Sequence, residues 1–574
     1  MSIKTKLAEY HIQSQDGQIE IFLRSAKSKT SQMLPLFSER NIGRDIQRRL
    51  GNFKPITGFI ALVNGLAQLP LILELLKSQS SNEINIVVFE ADVTLAENII
   101  AKHKQILTEV LIVTPQNIEH INRFCEQIVI EKFLGYRIFQ HQLIESLNKN
   151  FYLDCGDLFK SNMSSKISDL FTRMEFEPVW ITNCLTNILK INQVKPVKEL
   201  FGHYQGFRVM LVSTGPSLRE SLPYIKKNQG KVYVACVDSA YRVLQRYGVQ
   251  VDFIFSLDSQ PFTARHFSLL PLGDLSKKEP VLIADLVANP SVVNNWQGSC
   301  YYSITAQFLN KRREVTPGCD YIESQLMPYF LGETKGIDEK NKKYFTFGDI
   351  QSGGSVATSL FDLLRQMGFD KILLVGQDLA YSNREIHTSG THHSDLWLSK
   401  NSNRFNSIEN INFAVVKKRH TREVISIKGK PIVEDYILSL YASWFSSAAN
   451  LVKDQVINCT TNGIKIENIK YSTLEREMCD LTIEIDKVFY GKNFNISEEK
   501  INSFRETLLE QTYSDSLNEK FEFINRIGRK FKIMYNRKTQ SSSGDYPPEV
   551  IQKVELVRNL FWKKLQKNLK RYEK

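Results

Sequence analysis

Short apolar runs alternate with amphipathic segments through the middle of the chain, which predicts a parallel sheet covered by helices. Three of these runs predict buried strands, at Val209–Val212, Val232–Val237 and Asp252–Leu257. Apolar residues at helical spacing lie between them, from Leu218 to Ile225 and from Ala240 to Tyr247. This part of the chain is therefore predicted to be a Rossmann-like α/β domain.

Small and polar residues follow each of these predicted strands. They are Thr214, Gly215, Pro216 and Ser217 after the first strand, Asp238 and Ser239 after the second, and Asp258 after the third. Ligands of open parallel sheets lie beyond the carboxyl ends of the strands. Because a helix N-terminus attracts negative charge, the first turn predicts a phosphate site. A turn without a ligand is the simpler alternative, and Ser217 can also cap the helix with Glu220 as its capping-box partner.

A second stretch, residues 347–381, repeats these features. The turn Ser352-Gly353-Gly354-Ser355 opens a helical pattern, and the predicted strand Lys371–Val375 ends at Gly376-Gln377-Asp378. Backbone N–H groups of such a glycine-rich turn can converge on an anion, although a flexible helix cap explains the turn equally well. Two such turns in one sheet indicate a ligand with a phosphate and a second polar part, such as a nucleotide.

Three histidines lie within seven residues, at His387, His392 and His393. This spacing is compatible with zinc, but no strong fourth ligand lies at metal spacing, so no metal site is predicted. Imidazole titrates near neutral pH, and a general acid or base in an active-site loop is therefore the favoured interpretation. A plain surface loop is the alternative.

The flanking regions carry weaker signals. Residues 1 to about 50 are predicted to be helical and polar, and the apolar runs after them predict a small α/β domain. This domain lacks the glycine fingerprint of dinucleotide sites, so Glu90 or Asp92 at a strand end is expected to be structural and not a ribose ligand. Residues 118–200 are predicted to be mostly helical, and residues 308–345 to be an insertion or a mobile segment.

Composition narrows the class of protein. The chain has 574 residues, of which 42% are hydrophobic and 24% charged, as in soluble multidomain proteins. No apolar run reaches the ~18 residues of a membrane span, and the first residues lack the apolar core of a signal peptide, which predicts a cytoplasmic location. The eight cysteines form no CxxC pair.

The net charge of +12 is concentrated at one end. Residues 521–574 hold 14 basic and 5 acidic residues and so supply +9 of it. Such a region can attract nucleic acid or an acidic protein, but no motif that reads nucleic acid accompanies it, and a solvated helical face is the favoured interpretation. Together the patterns predict a multidomain α/β protein with boundaries at residues 1–195, 196–469 and 470–574, the last part being basic and helical.

The central motifs resemble those of the motility-associated factor (Maf) glycosyltransferases, which modify flagellin in motile bacteria. The matching segments are VSTGPSL, VACVDSAYRVL, SLD, QSGGSVA and ILLVGQDLAY, and the likeness extends over about residues 200–470. The central domain of this family is similar to that of bacterial sialyltransferases that use CMP-sugars. The resemblance therefore implies a GT-A-like glycosyltransferase domain that binds a nucleotide sugar.

The resemblance also implies a reaction and its residues. A nonulosonic acid of the pseudaminic or legionaminic acid type moves from a CMP-sugar to Ser or Thr of flagellin, as flagellum assembly requires, without a metal or other cofactor. The implied donor-binding residues are Thr214, Gly215, Pro216, Ser217, Asp238, Ser239, Ser352, Gly353, Gly354, Gln377 and Asp378. The implied catalytic residues are His387, His392 and Asp258.

Two other functions are compatible with the same pattern. A related family transfers diphosphate from ATP to a pterin alcohol, 6-hydroxymethylpterin, and shares the central motifs. A flagellin-binding assembly factor with no activity of its own is the non-catalytic alternative. The extra N- and C-terminal regions suit a protein acceptor better than a pterin.

Overall fold

The computed structural model describes most of the chain. The described residues are 2–15, 18–27, 32–38, 40–55, 57–79, 85–267, 279–305, 347–452, 455–493, 496–510, 527–539 and 546–571. The predicted insertion at residues 308–345 lies outside them. The chain forms two compact units, one of residues 1–176 and 528–557 and the other of residues 177–527 and 558–574. Residues after 469, predicted as one domain, thus contribute to both units.

The first unit begins with an antiparallel sheet. Its strands, in sheet order, are β1 (Ser2–Lys4), β2 (Ala8–Gln15), β3 (Gln18–Ser25) and β4 (Leu34–Pro35). Alternate residues of β2 and β3 are buried, namely Ala8, Tyr10, Ile12, Ile21 and Leu23. This period of two belongs to a strand with one buried face. The prediction of helices over residues 1–50 is therefore wrong outside α1 (Ile42–Leu50).

A parallel sheet forms the rest of the core of the first unit, as predicted. Its strands are β5 (Phe59–Asn64), β6 (Ile86–Phe89), β7 (Val110–Val113) and β8 (Gly135–Phe139), in the order β7-β6-β5-β8. The helices are α2 (Leu69–Ser78), α3 (Val93–His103), α4 (His120–Gln127), α5 (Gln142–Glu145) and α6 (Lys149–Asn187), which continues into the second unit.

A larger parallel sheet forms the core of the second unit. Its strands are β9 (Lys195–Pro196), β10 (Arg208–Val212), β11 (Tyr233–Val237), β12 (Phe253–Ser256), β13 (Val281–Asp285), β14 (Cys300–Thr305), β15 (Asp349–Ile350), β16 (Lys371–Val375), β19 (Val456–Asn458) and β20 (Lys470–Tyr471). They lie in the order β15-β14-β13-β12-β11-β10-β16-β19-β20, with β9 paired to β14. Strands β17 (Thr421–Ile425) and β18 (Pro431–Asp435) form a separate two-stranded hairpin between β16 and β19 in the chain.

The strand order reverses at β10. From β10 the chain builds the sheet outward as far as β15 and then returns to β16 on the other side of β10. The residues Val209–Val212 in β10 are completely buried, as central strands of a parallel sheet are. Such a reversal marks the place where open parallel sheets bind ligands. This topology confirms the predicted α/β fold with a Rossmann-like central sheet.

Helices connect the strands of the second unit. They are α7 (Leu218–Asn228), α8 (Asp238–Arg246), α9 (Pro290–Asn294), α10 (Val356–Met367), α11 (His392–Leu396), α12 (Ile408–Lys417), α13 (Tyr436–Ala449), α14 (Leu474–Met478) and α15 (Glu498–Glu510). Two further helices, α16 (Arg529–Thr539) and α17 (Pro548–Arg571), follow in the chain. None of the helices in the described ranges combines the length and the apolarity that crossing a membrane needs.

Candidate functional site

Two turns meet directly at the carboxyl ends of β10 and β16. The N–H of Gly215 donates a hydrogen bond of 2.8 Å to the carbonyl of Gly376. A Cβ on Gly215 would lie 2.4 Å from that carbonyl oxygen and 2.3 Å from Asp378 Oδ1, so only glycine permits this approach. Protein atoms therefore fill the base of the crevice at the strand reversal.

The Asp378 carboxylate holds the first of these turns. It accepts hydrogen bonds from the N–H of Ser217 at 3.0 Å, from Ser217 Oγ at 2.5 Å and from Ser382 Oγ at 3.1 Å. Burial raises the pKa of Asp378 to about 6, and these hydrogen bonds oppose the rise. An N–H that the sequence predicted for a phosphate is thus already paired with a carboxylate.

Ser217 occupies the N-cap position of α7, but the capping hydrogen bond that was one alternative for its side chain is not formed. Its hydroxyl donates to Asp378, and the described residues of α7 receive no capping hydrogen bond from it. Glu220, the expected capping-box partner, instead lies 3.5 Å from Lys428 in an ion pair. Pro216 has no N–H, so the turn keeps few donors for an anion. A turn held by its own protein contacts, the simpler alternative, accounts for these bonds.

The second predicted turn also pairs with its own side chains. The N–H groups of Gly353 and Ser355 donate to Thr358 Oγ1 at 3.0 and 3.2 Å. The N–H of Gly354 donates to Ser352 Oγ at 3.3 Å. Ser355 caps α10 in a capping box with Thr358, so the predicted helix start is confirmed. The donors of this turn are used within the helix cap.

Gln377 is likewise engaged within the protein. Its N–H donates to Thr460 Oγ1 at 3.0 Å, and its Oε1 accepts from Ser213 Oγ at 2.6 Å. Gly353 of the other turn packs against Trp444, whose ring would lie 2.5 Å from a Cβ at that position. These residues stabilise the turns at the sheet edge, and their role as ligand contacts stays a prediction.

Polar groups at the ends of β11 and β12 lie beside the first turn. Ser239 Oγ is 3.3 Å from Thr214 Oγ1. Asp238 is buried and accepts from the N–H of Ser239 at 2.7 Å and from Ser256 Oγ at 3.1 Å. Burial, and after it the charge of Asp258, raises the pKa of Asp238 to about 7. Asp258 itself is exposed and can meet a ligand.

The loop with the histidines packs on this same edge. The N–H of Thr388 donates to the carbonyl of Thr214 at 2.9 Å. Thr214 Oγ1 and His387 Nδ1 share a hydrogen bond of 3.2 Å. The structure thus brings together three predicted site residues, Thr214, Ser239 and His387, in one hydrogen-bonded chain.

Four histidines, here called the histidine cluster (His266, His387, His392 and His393), lie together at this edge, three of them around the ring of Phe262. The ring centroids of His393, His392 and His266 are 4.3, 5.0 and 5.8 Å from that of Phe262. The ring centroid of His387 is 6.1 Å from that of His393. Three buried ring nitrogens, His266 Nδ1, His392 Nε2 and His393 Nδ1, have no hydrogen-bond partner among the described residues. These nitrogens can still bond a ligand.

Burial lowers the pKa of each histidine in the cluster. The pKa falls to about 3 for His266 and to about 4 for His387, and the neighbouring His393 adds to both shifts. The pKa values of His392 and His393 are lowered in the same direction, again by burial first. The cluster is therefore neutral near pH 7, when imidazole accepts a proton. Within the described ranges, no group of three or more His, Cys, Asp or Glu side chains is placed to hold a metal ion.

Sequence reasoning did not identify three residues of this edge. His266 and Phe262 belong to the 3-10 turn Pro261–Phe267, which follows β12 and lies far in sequence from the other histidines. Asp285 ends β13, and burial raises its pKa to about 7. Asp285 shares the signal that identified Asp258, an acid at the end of an apolar run, whereas nothing in the sequence links His266 to the later loop.

A known protein family matches part of the second unit. Residues 182–384 match the family model "MptE-like: 6-hydroxymethylpterin diphosphokinase MptE-like", which is about a third of the chain. No curated protein sequence matches. A solved structure, the "MAf glycosyltransferase from Magnetospirillum magneticum AMB-1", aligns over 100% of this chain and 93% of its own, with 13% identity and a TM-score of 0.49. Residues 182–384 are therefore similar to the MptE-like family, in keeping with the resemblance predicted from the central motifs.

Proposed function

We propose that the chain is a Maf-type glycosyltransferase, working in the cytoplasm, that moves a nonulosonic acid from a CMP-sugar to Ser or Thr of flagellin. The observation that carries the proposal is the hydrogen-bonded chain of Ser239, Thr214 and His387 at the carboxyl edge of the sheet. It places two hydroxyls and a neutral imidazole where open parallel sheets bind ligands. The match of this region to the MptE-like model supports a domain that handles a nucleotide.

Each of these groups has its own role in the proposed reaction. The acceptor oxygen attacks the anomeric carbon of the sugar, and the bond to CMP breaks with its electron pair going to a phosphate oxygen. His387 takes the proton of the acceptor hydroxyl, because its imidazole is neutral, and His392 is the second candidate for this base. Thr214 and Ser239 donate to the phosphate through their hydroxyls, because the backbone donors of the turn are paired elsewhere. The exposed Asp258 contacts donor or acceptor.

Nucleotide binding by the purified chain is the first test. Calorimetry compares CMP, CDP, UDP, GDP and ATP, each with and without Mg²⁺, and we expect selective binding of CMP without metal. Thr214→Val should weaken CMP binding about tenfold through the lost hydroxyl, whereas the exposed α13 variant Ser447→Ala should not change it. Incubation of the chain with a CMP-nonulosonic acid and flagellin should then add the mass of the sugar to flagellin and release CMP. Selective CMP binding without any transfer would leave a non-catalytic flagellin-binding factor.

Diphosphate transfer to 6-hydroxymethylpterin is the second candidate. The family model over residues 182–384 is named for that reaction, which uses ATP as donor. The same calorimetry separates the two functions, because a kinase of this kind should bind ATP with Mg²⁺ and ignore CMP. A chain that forms AMP from ATP and a pterin alcohol would replace the glycosyltransferase proposal.

A further inference from the structure

A cavity of about 600 Å³ opens at the β19 end of the same sheet edge. It is lined by the segment after β19, by α7 and by the hairpin β17–β18, whereas the histidine cluster lies at the ends of β10 to β12. The meeting of the Gly215 and Gly376 turns lies between them along the sheet. None of the residues predicted from the sequence as site residues lines this cavity. Its volume falls within the roughly 300–1,000 Å³ of small-molecule sites.

Hydroxyl groups dominate the lining of the cavity. Seven of its thirteen lining residues are Ser, Thr or Tyr. The hydroxyls of Ser221 and Ser472 are buried and have no hydrogen-bond partner among the described residues. Because an unpaired buried hydroxyl is unfavourable, these two groups indicate a ligand that supplies the missing bonds. A ligand with several hydroxyls of its own fits such a lining.

Two tyrosines give the cavity fixed walls. The Tyr471 hydroxyl accepts from the N–H of Ile466 at 2.7 Å and donates to the carbonyl of Ile464 at 3.2 Å. The Tyr224 hydroxyl bonds to Glu475, which also lines the cavity. Both rings are therefore held by their hydroxyls and present apolar surface to a ligand.

Two lysines give one side of the cavity positive charge. Lys428 and Lys465 line it, and their carboxylate partners Glu220 and Glu467 lie at 3.5 and 3.6 Å. Both pairs are exposed, and exposed pairs of this kind are weak. Each ammonium can therefore turn toward an anionic group inside the cavity. Glu475 is the acidic residue of the lining.

We infer that this cavity binds a sugar that carries an acidic group, either a carboxylate or a phosphate. The hydroxyl lining meets the hydroxyls of the sugar, the tyrosine rings meet its apolar face, and the lysines meet its charge. The inference does not depend on the proposed function, because no residue of the histidine cluster takes part.

The test uses the full chain and three sugars of similar size. D-glucuronate and D-glucose 6-phosphate carry a carboxylate and a phosphate, and D-glucose is neutral. Binding is measured by calorimetry or saturation-transfer NMR. We expect at least one of the two acidic sugars to bind with an affinity about tenfold or more above that of glucose. The better of the two identifies the acidic group. Equal affinity for all three sugars, or no saturable binding of an acidic one, would overturn the inference.

Variants locate the binding. Lys428→Met together with Lys465→Met should remove the tenfold preference, while Lys430→Met together with Lys470→Met, two exposed lysines outside the lining, should keep it. If the second pair loses the preference equally, the binding reflects general surface charge and the inference fails.

Discussion

The parallel sheets of the two units end in similar turns with different surroundings. In the first unit, the buried Glu90 carboxylate accepts from the N–H groups of Leu66 and Asp92, both at 2.7 Å. In the second unit, Asp378 accepts from the N–H of Ser217 at 3.0 Å. In each sheet a buried acid thus pairs with a backbone donor at a strand end, a position where many α/β proteins bind an anion.

The neighbours of the two acids separate a structural turn from a candidate site. Next to Glu90, Asp92 accepts hydrogen bonds from Thr5 and Tyr10, and the Tyr152 hydroxyl accepts from the N–H of Ala91. Tyrosine rings therefore cover that sheet edge, in keeping with the structural role predicted for Glu90 and Asp92. Beside Asp378, the sheet edge carries the histidine cluster with unpaired ring nitrogens. A strand-end acid is therefore not by itself evidence of a ligand.

The largest expected difference between the two edges is catalytic. His387→Gln should lower the rate of sugar transfer about 10²- to 10⁴-fold, because under the proposed function it removes the base that takes the acceptor proton. His141→Gln is the matched control in the first unit. His141 is also partly buried with a lowered pKa, and its Nε2 lies 3.1 Å from the carbonyl of Leu36. Release of CMP during the reaction measures both variants.

The control decides how the loss is interpreted. An equal loss in His141→Gln would show that the rate reports stability and not the chemistry of the histidine cluster. A full rate in His387→Gln would transfer the role of base to His392 and would require the same test there.

The contact between the two turns of the second unit should be intolerant of a side chain. Gly215→Ala places a Cβ against a backbone carbonyl and a carboxylate, neither of which can move freely, and should lower the free energy of unfolding by about 3 kcal/mol. Gly206→Ala is the control in the same unit, because nothing lies within 4 Å of its Cβ and only its φ of +83° is unfavourable. Urea denaturation should show the smaller loss, about 1 kcal/mol, for the control. Equal losses would mean that the turns are not in contact in solution.

The two strand-end acids should contribute similar stability. Asp378→Asn and Glu90→Gln each leave one acceptor oxygen where two accept hydrogen bonds, so each should lower the free energy of unfolding by about 2 kcal/mol. Asp370→Asn, an exposed substitution, should have little effect. The free energies of unfolding are compared at pH 8, where both acids of the wild type are ionised. If Asp378→Asn left the free energy of unfolding unchanged while Glu90→Gln lowered it, only the sheet of the first unit would be stabilised by its buried acid.

The sequence predicted the sheet of the second unit because short apolar runs such as Val209–Val212, bounded by turn residues, are typical of buried strands. It did not predict the bond between Ser217 and Asp378, because residues far apart in sequence meet only when β10 and β16 pair. The local capping pattern around Ser217 was therefore misleading. His266 was missed for the same reason, since only the fold brings its turn to the histidine loop.

Burial of Asp238 should make stability depend on pH. Its pKa is raised to about 7 in the folded protein, from about 4 in an unfolded chain. Between these values the folded state holds more protons, so the free energy of unfolding falls as the pH rises, by about 1 kcal/mol per pH unit. Asp238→Asn removes this dependence and should lose less stability than the wild type between pH 5 and 7. Parallel urea curves at the two pH values give the difference, with Asp370→Asn as the exposed control.

An unchanged slope in Asp238→Asn would mean that water reaches this carboxylate in solution. Glu90→Gln gives the matching measurement in the first unit, because burial raises the pKa of Glu90 to about 7 as well. If only one of the two variants weakens the dependence of the free energy of unfolding on pH, the acid replaced in that variant is the one buried away from water.

The smallest expected effect concerns the attachment of the histidine loop. Asp395 pairs with Arg242 and Arg246 of α8 at 3.0 and 2.7 Å, and partly exposed pairs such as these contribute about 1 kcal/mol or less. Asp395→Asn should therefore leave global stability nearly unchanged but increase amide hydrogen exchange around α11 and lower transfer a few-fold. Glu385→Gln, which breaks the more exposed pair with Arg219, is the control and should change neither. If Asp395→Asn transfers sugar at the full rate with faster exchange, the position of the loop depends on the Thr214 hydrogen bonds and not on these charges.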